Sequence, residues 1–130
     1  LDMGCGTGIL AILAKMLGSS ITQAIDIDEW SYENSVENAK LNNTEDIDFL
    51  LGDVTAIKGA FDVVLANINR NIILEDISKY TDSLNENSDL LLSGFLYEDV
   101  IIIRDKAESL GLSFVSHKNK NKWNLLHFTN

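Results

Sequence analysis

The feature that most constrains this chain is a glycine cluster behind a short segment at its beginning. Gly4, Gly6 and Gly8 stand at alternate positions after Leu1–Met3, and the apolar run Ile9–Leu17 begins directly behind them. Glycine tolerates positive φ and lets the backbone come close to a ligand, and such a turn exposes backbone N–H groups. The cluster therefore predicts a strand, a ligand-binding turn and a helix. A plain tight turn is the alternative.

Strand-like and helix-like patterns alternate along the rest of the chain. The predicted strands are apolar runs: Ile21–Ile27, Ile47–Leu51, Phe61–Ala66 and Leu90–Leu92. The first predicted helix, Ile9–Leu17, is apolar on nearly every face, which predicts a helix buried against a sheet. Three further helices are indicated by apolar residues at helical spacing: Tyr32, Val36 and Ala39; Ile73, Ile77, Tyr80 and Leu84; Val100, Ile103, Ala107 and Leu110.

The alternation of strand-like and helix-like patterns stops near the end of the chain. Leu112–His117 and Trp123–Thr129 are strand-like, and the polar segment Lys118–Lys122 separates them, which predicts an antiparallel hairpin with a solvated turn. With the preceding alternation, this pattern predicts an α/β fold with a doubly wound, mostly parallel sheet.

Composition narrows the class of protein. The chain has 130 residues, of which 45% are hydrophobic, enough for one domain with one core. Twenty acidic and ten basic residues give a net charge of −10, which disfavours nucleic acid and suits a cationic partner. One cysteine and no long apolar run argue for a cytoplasmic protein. Because residue 1 is not methionine, we expect a fragment of a longer protein.

An acidic residue stands where a nucleotide ribose would need one. Asp26 follows Gly4 by 22 positions, at the end of the second predicted strand, and is expected to accept hydrogen bonds from ribose hydroxyls. Asp28 competes for this role but is expected to cap the following helix. Asp53, at the end of the third strand, either accepts from an adenine amino group or belongs to an ordinary turn.

The glycine pattern departs from the dinucleotide fingerprint. GxGxxG would place its third glycine where this chain has Ile9. Asp2 also puts negative charge beside the place of a pyrophosphate, whereas an ammonium group would be attracted there. A nucleoside carrying an amino-acid tail is therefore favoured over NAD.

These residues carry a family resemblance. The segments LDMGCGTG, AIDID, GDV and FDVVLANI resemble the successive motifs of class I S-adenosylmethionine-dependent methyltransferases. The segments ANIN, LLLSGFL and WNLLHF narrow the resemblance to the ribosomal protein L11 methyltransferase family, PrmA. It implies a Rossmann-like sheet of seven strands, here with a truncated first strand. It also implies one S-adenosylmethionine-binding domain over residues 1–130 and a substrate-recognition domain upstream of them.

The resemblance also implies roles for individual residues. Gly4 would contact the methionine moiety, Asp26 the ribose, and Asn67 the cofactor near the reacting methyl group, as the catalytic residue. The full cofactor-binding set that it implies is Asp2, Gly4, Cys5, Gly6, Thr7, Gly8, Asp26, Ile27, Asp53, Val54 and Asn67. The implied reaction is methyl transfer to lysine or N-terminal amines of a basic ribosomal protein.

Other interpretations remain open at the level of sequence. The core motifs also permit an S-adenosylmethionine enzyme that acts on a small molecule or nucleic acid, or a nucleotide-binding module without catalysis. Asn67 has an alternative as a cap of the next helix. The chain departs from the family at Asp28–Glu29, where Asp-Pro is common, and after Asn67, where it has Ile68–Arg70.

The remaining conspicuous side chains have structural interpretations. Cys5 has no histidine near it in sequence and is expected to contribute only its backbone. His117 and His127 lack the spacing of metal ligands, so no metal is expected. Trp30 flanks an adenine or packs on its helix, and Trp123 is expected to pack in the core or at a sheet edge.

Overall fold

The computed structural model describes all residues, 1–130, and they divide into two compact units, Leu1–Lys58 and Gly59–Asn130. Strands alternate with helices along both units. No helix of this chain combines the length and the apolar character that crossing a membrane requires.

The first unit contains three parallel strands in the order β3-β2-β1. The strands are β1 (Asp2–Met3), β2 (Gln23–Asp26) and β3 (Asp48–Leu51), and the helices between them are α1 (Ile9–Met16) and α2 (Glu29–Leu41). A single 3₁₀ turn, Val54–Ala56, follows β3. Because the strands are parallel, the loops at their carboxyl ends lie at one edge of the sheet, which is where such folds bind ligands.

The start of α2 confirms the interpretation of Asp28 as a helix cap. Its Oδ1 accepts a hydrogen bond of 2.8 Å from the backbone N–H of Ser31. Ala39 and Ser35 lie on the buried face of α2, while Tyr32 and Val36, predicted to face inward, are half-buried.

The first helix, predicted to be buried against a sheet, is buried along one face only. Only Ala11 and Ile12 of α1 are buried, while Ile9, Leu13 and Met16 are largely exposed. Ala11 and Ile12 join the apolar cluster of this unit, which includes residues of β2 and α2. The difference arises because a short helix contacts its neighbours through one face, whatever the character of its other faces.

The second unit contains four strands in the order β4-β5-β7-β6. The pairing of β4 with β5 is parallel, and the other two pairings are antiparallel. The strands are β4 (Phe61–Asn67), β5 (Leu84–Phe95), β6 (Ser113–Lys120) and β7 (Trp123–Thr129), and the helices are α3 (Arg70–Asp82) and α4 (Val100–Ser109). Its largest fully buried side chains include Tyr80, Phe95, Phe128, Ile73, Ile77 and Leu90.

Two predicted boundaries in this unit are wrong. Leu84 begins β5 rather than ending a helix, so that strand runs well beyond Leu90–Leu92. The closing hairpin has a turn of two residues, Asn121 and Lys122, with φ of 50° and 74°. Positive φ at both central residues is the requirement of a type I′ turn, whose backbone twist matches that of the strands. The strand β6 therefore includes Lys118 and Lys120.

The predicted fold class is confirmed: the chain has a mixed α/β architecture with seven strands, mostly parallel at first and closed by an antiparallel hairpin. The buried faces of α3 and α4 are also as predicted, with Ile77, Ile103 and Ala107 fully inaccessible.

Candidate functional site

The glycine turn of the first unit is fixed to the carboxyl end of β2. The backbone N–H groups of Gly4 and Cys5 donate to the Ile25 carbonyl at 2.8 and 3.1 Å. A Cβ at Gly8 would lie 3.0 Å from the Cβ of Ser35, so glycine is needed there for close approach to α2. A Cβ at Gly6 would meet nothing within 4 Å. The side of the turn at Gly6 therefore faces open space.

Asp26 lies against this turn, so the structure brings together two features that the sequence predicted. Its Oδ2 accepts from the Gly6 N–H at 2.8 Å, and its Oδ1 accepts from the Asp28 N–H at 3.0 Å. A carboxylate has about four acceptor sites, so both oxygens retain capacity for a hydroxyl donor. Half-buried at the strand end, Asp26 has the position and chemistry required for ribose recognition.

Asp2 is a buried carboxylate, with 2% of its surface exposed. Its Oδ2 accepts from the backbone N–H of Ala11 at 3.0 Å, in the first turn of α1, where a negative charge is favourable. Burial raises the pKa of Asp2 to about 6, although the Ala11 hydrogen bond opposes the shift; the charge of Asp26 adds to it. At neutral pH Asp2 is thus mainly ionised beneath the glycine turn.

The remaining predicted residues of this unit lie at the same strand ends. The Gly52 N–H donates to the Asp26 carbonyl at 2.9 Å, which holds the end of β3 beside that of β2. Asp53 is exposed, and its Oδ1 accepts from the N–H and hydroxyl of Thr55 at 2.8 and 2.6 Å, hydrogen bonds that lower the pKa of Asp53. Ile27 is largely exposed and Val54 half-buried. The turn interpretation accounts for these contacts of Asp53.

Cys5 and Thr7 contact the rest of the unit mainly through their backbones. Burial raises the pKa of the Cys5 thiol to about 12, with the charge of Asp2 contributing, so the thiol is neutral at physiological pH. Only the thiolate is a strong nucleophile. The Thr7 carbonyl accepts from Asn38 Nδ2 at 2.9 Å. Trp30, by contrast, is 65% exposed on α2.

The second unit has an open cleft of about 830 Å³ beside the carboxyl ends of β4 and β5. Asn67, the last residue of β4, lines it, and its Oδ1 accepts from the Ser93 hydroxyl at 3.1 Å. The alternative of Asn67 as a helix cap is wrong. Asn69 caps α3 instead, because its Oδ1 accepts from the N–H groups of Asn71 and Ile72 at 3.1 and 3.3 Å.

The absence of a side chain at Gly94 leaves room for Asn67 and the backbone of Ile68. The φ of Gly94 is 90°, and a Cβ there would lie 2.7 Å from the Ile68 carbonyl oxygen and 3.0 Å from Asn67 Oδ1. Gly94 was not among the site residues predicted from the sequence. The signal that identifies it is a Ser-Gly pair at the end of the strand next to the one that carries Asn67.

The closing hairpin forms another wall of the cleft, which sequence analysis missed. Lys118, Lys120 and Trp123 line it, and Trp123 is 58% exposed rather than packed in the core. Asn124 is almost fully buried, and its Nδ2 donates to the Phe95 carbonyl at 3.2 Å. The sequence predicted a solvated five-residue turn here, whereas Lys118 and Lys120 belong to the strand β6 and line the cleft.

The two histidines each have a separate partner. His117 Nε2 lies 2.9 Å from Asn124 Oδ1, and His127 Nε2 lies 2.6 Å from Asp89 Oδ1. Both contacts connect neighbouring strands, β6 with β7 and β7 with β5. These two contacts give the histidines a structural role in joining the strands of the hairpin to each other and to β5.

Parallel strands with a glycine turn after the first and an acidic residue after the second define a Rossmann-like nucleotide-binding domain. The family model described as ribosomal protein L11 methyltransferase (PrmA) matches residues 1–130, and the chain belongs to this family.

Similar proteins bear the same name. The chain is 51% identical over 131 residues to a ribosomal protein L11 methyltransferase of Bacteroides thetaiotaomicron, an alignment covering 99% of this chain and 47% of that protein. It is 39% identical to one of Thermotoga neapolitana, over 94% of this chain and 46% of that protein. The chain thus spans about half the length of these relatives.

A solved structure has the same fold. The crystal structure of ribosomal protein L11 methylase from Lactobacillus delbrueckii subsp. bulgaricus matches with a TM-score of 0.94 and 31% identity. The match covers 98% of this chain and 67% of that one. Both units of the chain therefore belong to a fold already seen in this family.

Proposed function

We propose that the protein containing this chain transfers methyl groups from S-adenosylmethionine to amino groups of ribosomal protein L11, on lysine side chains, the N-terminus or both. The observation that carries the proposal is the family match over residues 1–130, together with a glycine turn and Asp26 joined at one strand end. Residues 1–130 would form the cofactor-binding domain, and a substrate-recognition domain would lie upstream.

The residues of the first unit fit the cofactor. Its ribose hydroxyls need an acceptor, which Asp26 provides, and the open side of Gly6 leaves room for a ligand against the backbone. Its ammonium and sulfonium groups are cationic, and the ionised Asp2 beneath the turn supplies a compensating charge. Gly4, Cys5, Thr7 and Gly8 would contribute backbone, and Ile27, Asp53 and Val54 would border the adenosine. When bound, the cofactor supplies a methyl group already activated for displacement.

Asn67 would orient the amine that receives the methyl group. Its side chain lies exposed at the cleft, where the Ser93 hydroxyl donates to its Oδ1. A fixed amide oxygen can accept from an amine N–H and direct the nitrogen lone pair. Orientation of this kind contributes roughly 7–11 kcal/mol to barrier reduction in favourable cases.

Charge supports a basic protein as the partner. The chain carries a net charge of −10, so association with a cationic ribosomal protein is electrostatically favourable, whereas direct nucleic-acid binding is not. A substrate of the ribosome would place the enzyme in the cytoplasm.

The first test separates this proposal from nucleotide binding of another kind. Calorimetric titration of the full-length protein with S-adenosylhomocysteine should show binding, and titration with NAD should show none. Methyl transfer from labelled S-adenosylmethionine into purified ribosomal protein L11, resolved by mass, then tests the substrate. Binding of NAD alone would contradict the cofactor, and label entering only RNA or a small molecule would contradict the substrate.

The second test addresses Asn67. Asn67→Ala should lower kcat about 100-fold, because loss of orientation by about 1 Å costs this much. Asn85→Ala is the matched control, since Asn85 lies at the opposite end of β5 from the cleft and bonds only Asp62 through its Nδ2. Equal turnover in the two variants would remove Asn67 from the proposal.

A further inference from the structure

The charge of the second unit's cleft is opposite to that of the chain. Acidic residues outnumber basic ones two to one in the sequence, 20 against 10. Yet the only charged residues that line the cleft are Lys118 and Lys120. Asn67 lines the same cleft. A substrate amine presented to Asn67 would therefore meet two lysine side chains and no carboxylate of the lining.

The two lysines are held by the register of the hairpin. Lys118 pairs with Leu125 and Lys120 with Trp123, directly before the two-residue turn. Asn124 fixes this end of the hairpin to β5, since its Nδ2 donates to the Phe95 carbonyl and its Oδ1 accepts from Asn119 Nδ2 at 3.1 Å. The lysine backbones are thus as fixed as the sheet that carries them.

The other ionisable groups near the cleft do not compensate this charge. Arg70 at the start of α3 pairs with Asp99 at 3.0 Å, so these two charges cancel. His117 on β6 contacts Asn124 and the ring of Tyr97. Two more ionisable residues at this end of the unit are Lys122 in the hairpin turn and Glu98 in a 3₁₀ turn, Tyr97–Asp99, that follows β5. Both are exposed, and neither lines the cleft.

We propose that the ammonium groups of Lys118 and Lys120 drive an incoming substrate ammonium to lose its proton, so that the amine reaches Asn67 in its reactive neutral form. This inference rests on the proposed function. A protonated amine has no lone pair, and nearby like charges disfavour the charged form of a lysine. Lys118 and Lys120 are positioning residues in this scheme, acting through the protonation state of the substrate.

The bonds of the proposed step balance without a further reactant. The substrate ammonium releases its proton to solvent and gains a lone pair. The nitrogen then forms a bond to the methyl carbon while the carbon–sulfur bond breaks, and the sulfur keeps the electron pair as a neutral thioether. The methylated ammonium loses another proton to solvent before any later round.

The test is the pH dependence of methyl transfer by the full-length protein, with S-adenosylmethionine and purified ribosomal protein L11. Lys118→Gln/Lys120→Gln should shift the rising limb of kcat, which reports the protonation state of the bound amine, upward by about 0.5–1 pH unit and so lower kcat at pH 7.5 by about threefold to tenfold. The rates at pH 10 should converge. Lys118→Arg/Lys120→Arg keeps the charges and should restore the wild-type profile. Lys122→Gln, in the same hairpin but outside the cleft lining, should leave the profile unmoved.

A second readout does not depend on turnover. Calorimetry of L11 binding in the presence of S-adenosylhomocysteine, in two buffers of different ionisation enthalpy at pH 8.5, reports the protons released. The wild type should release more protons per L11 bound than the double glutamine variant.

The outcomes separate this inference from the function on which it rests. If the wild-type protein does not methylate L11, the proposed function fails and this inference fails with it. If the wild type is active but the glutamine variant has an unmoved pH profile and equal proton release, only the role of the lysines is overturned. A uniform loss of rate at every pH would likewise overturn it, because that is the signature of a merely structural effect.

Discussion

The two units handle charge in opposite ways at their strand ends. In the first unit the carboxylates of Asp2 and Asp26 are engaged by backbone N–H groups around the glycine turn. In the second unit the strand ends carry amides and hydroxyls, and the only charges lining the cleft are those of lysines. Under the proposed function, the first unit would bind a cationic ligand with hydroxyl groups and the second would receive an amine that must become neutral.

Under the proposed function, this difference in charge would suit a methyl transfer from a cationic sulfonium to a neutral amine. Negative charge stabilises a bound sulfonium, yet the same charge near the substrate would keep its amine protonated and unreactive. In this proposal, the carboxylates belong to the first unit and the lysines to the second.

The largest effect on stability is expected at Gly94. Gly94→Ala combines strain at φ of 90° with a Cβ 2.7 Å from the backbone oxygen of Ile68, which cannot move as a flexible side chain can. We expect a loss of about 4 kcal/mol in the free energy of unfolding, from left-handed strain plus overpacking. Urea unfolding measures it.

The control for Gly94 is Gly111→Ala, since Gly111 has a φ of 93° and nothing within 4 Å of a built Cβ. It should cost only about 1–2 kcal/mol, the strain alone. On the other side of the comparison, Gly8→Ala meets a side-chain atom at 3.0 Å and should fall between the two. Equal losses at Gly94 and Gly111 would mean that the close approach to Ile68 is not a constraint.

The next effect concerns Asp2 and pH. Its pKa rises from 3.8 to about 6 on folding, so the unfolded state ionises first as the pH increases. The contribution of Asp2 to the free energy of unfolding is therefore at its maximum below about pH 4. It falls as the pH rises towards 6 and stays reduced above that pH. The shift corresponds to at most about 3 kcal/mol. Asp2→Asn keeps an acceptor for the Ala11 N–H and removes the titration.

The measurement for Asp2 is the difference in unfolding free energy between Asp2→Asn and wild type at pH 4 and at pH 7.5. This difference should move by up to about 3 kcal/mol in favour of the variant at the higher pH. The contributions of the other carboxyl groups are the same in both proteins and cancel in this difference. A constant difference across this range would show that the Asp2 carboxyl titrates normally in the folded protein.

The smallest effects are expected at the helix caps. Asp28→Ala and Asn69→Ala should each cost about 1 kcal/mol, because each removes an acceptor from N–H groups of a first helical turn. Asp28 is charged and also interacts with the helix dipole, so its cost should shrink in about 1 M salt, while that of the neutral Asn69 should not. Identical salt dependence would show that the charge of Asp28 does not contribute to the stability of its helix.

Local patterns in the sequence were enough to predict much of the first unit. The turn at Gly4 to Gly8, the strand end at Asp26 and the cap at Asp28 depend on residues close in sequence, whose types have few structural alternatives. The exposure of Ile9 and Leu13 could not be predicted in this way. Periodicity shows which residues are apolar, but not which faces find a neighbour.

The structure of the second unit was harder to predict, because it is determined more by pairing between strands that are distant in sequence. The position of Asn67 at a strand end was predicted, but the roles of Gly94 and Asn69 follow from contacts across neighbouring elements. The length of β6 was missed because Lys118 to Lys122 has the polarity of a loop. Only the positive φ at Asn121 and Lys122 reveals the tight reversal that extends the strand.

The tight turn at Asn121 and Lys122 determines which side chains of β6 line the cleft. Residues 118–122 read Lys-Asn-Lys-Asn-Lys, and side chains two apart on a strand share a side. Inserting one residue ahead of the turn would invert this parity and bring asparagines to the positions that lysines now occupy. A change of hairpin register would therefore move both lysines together, whereas a substitution changes the charge of this wall one residue at a time.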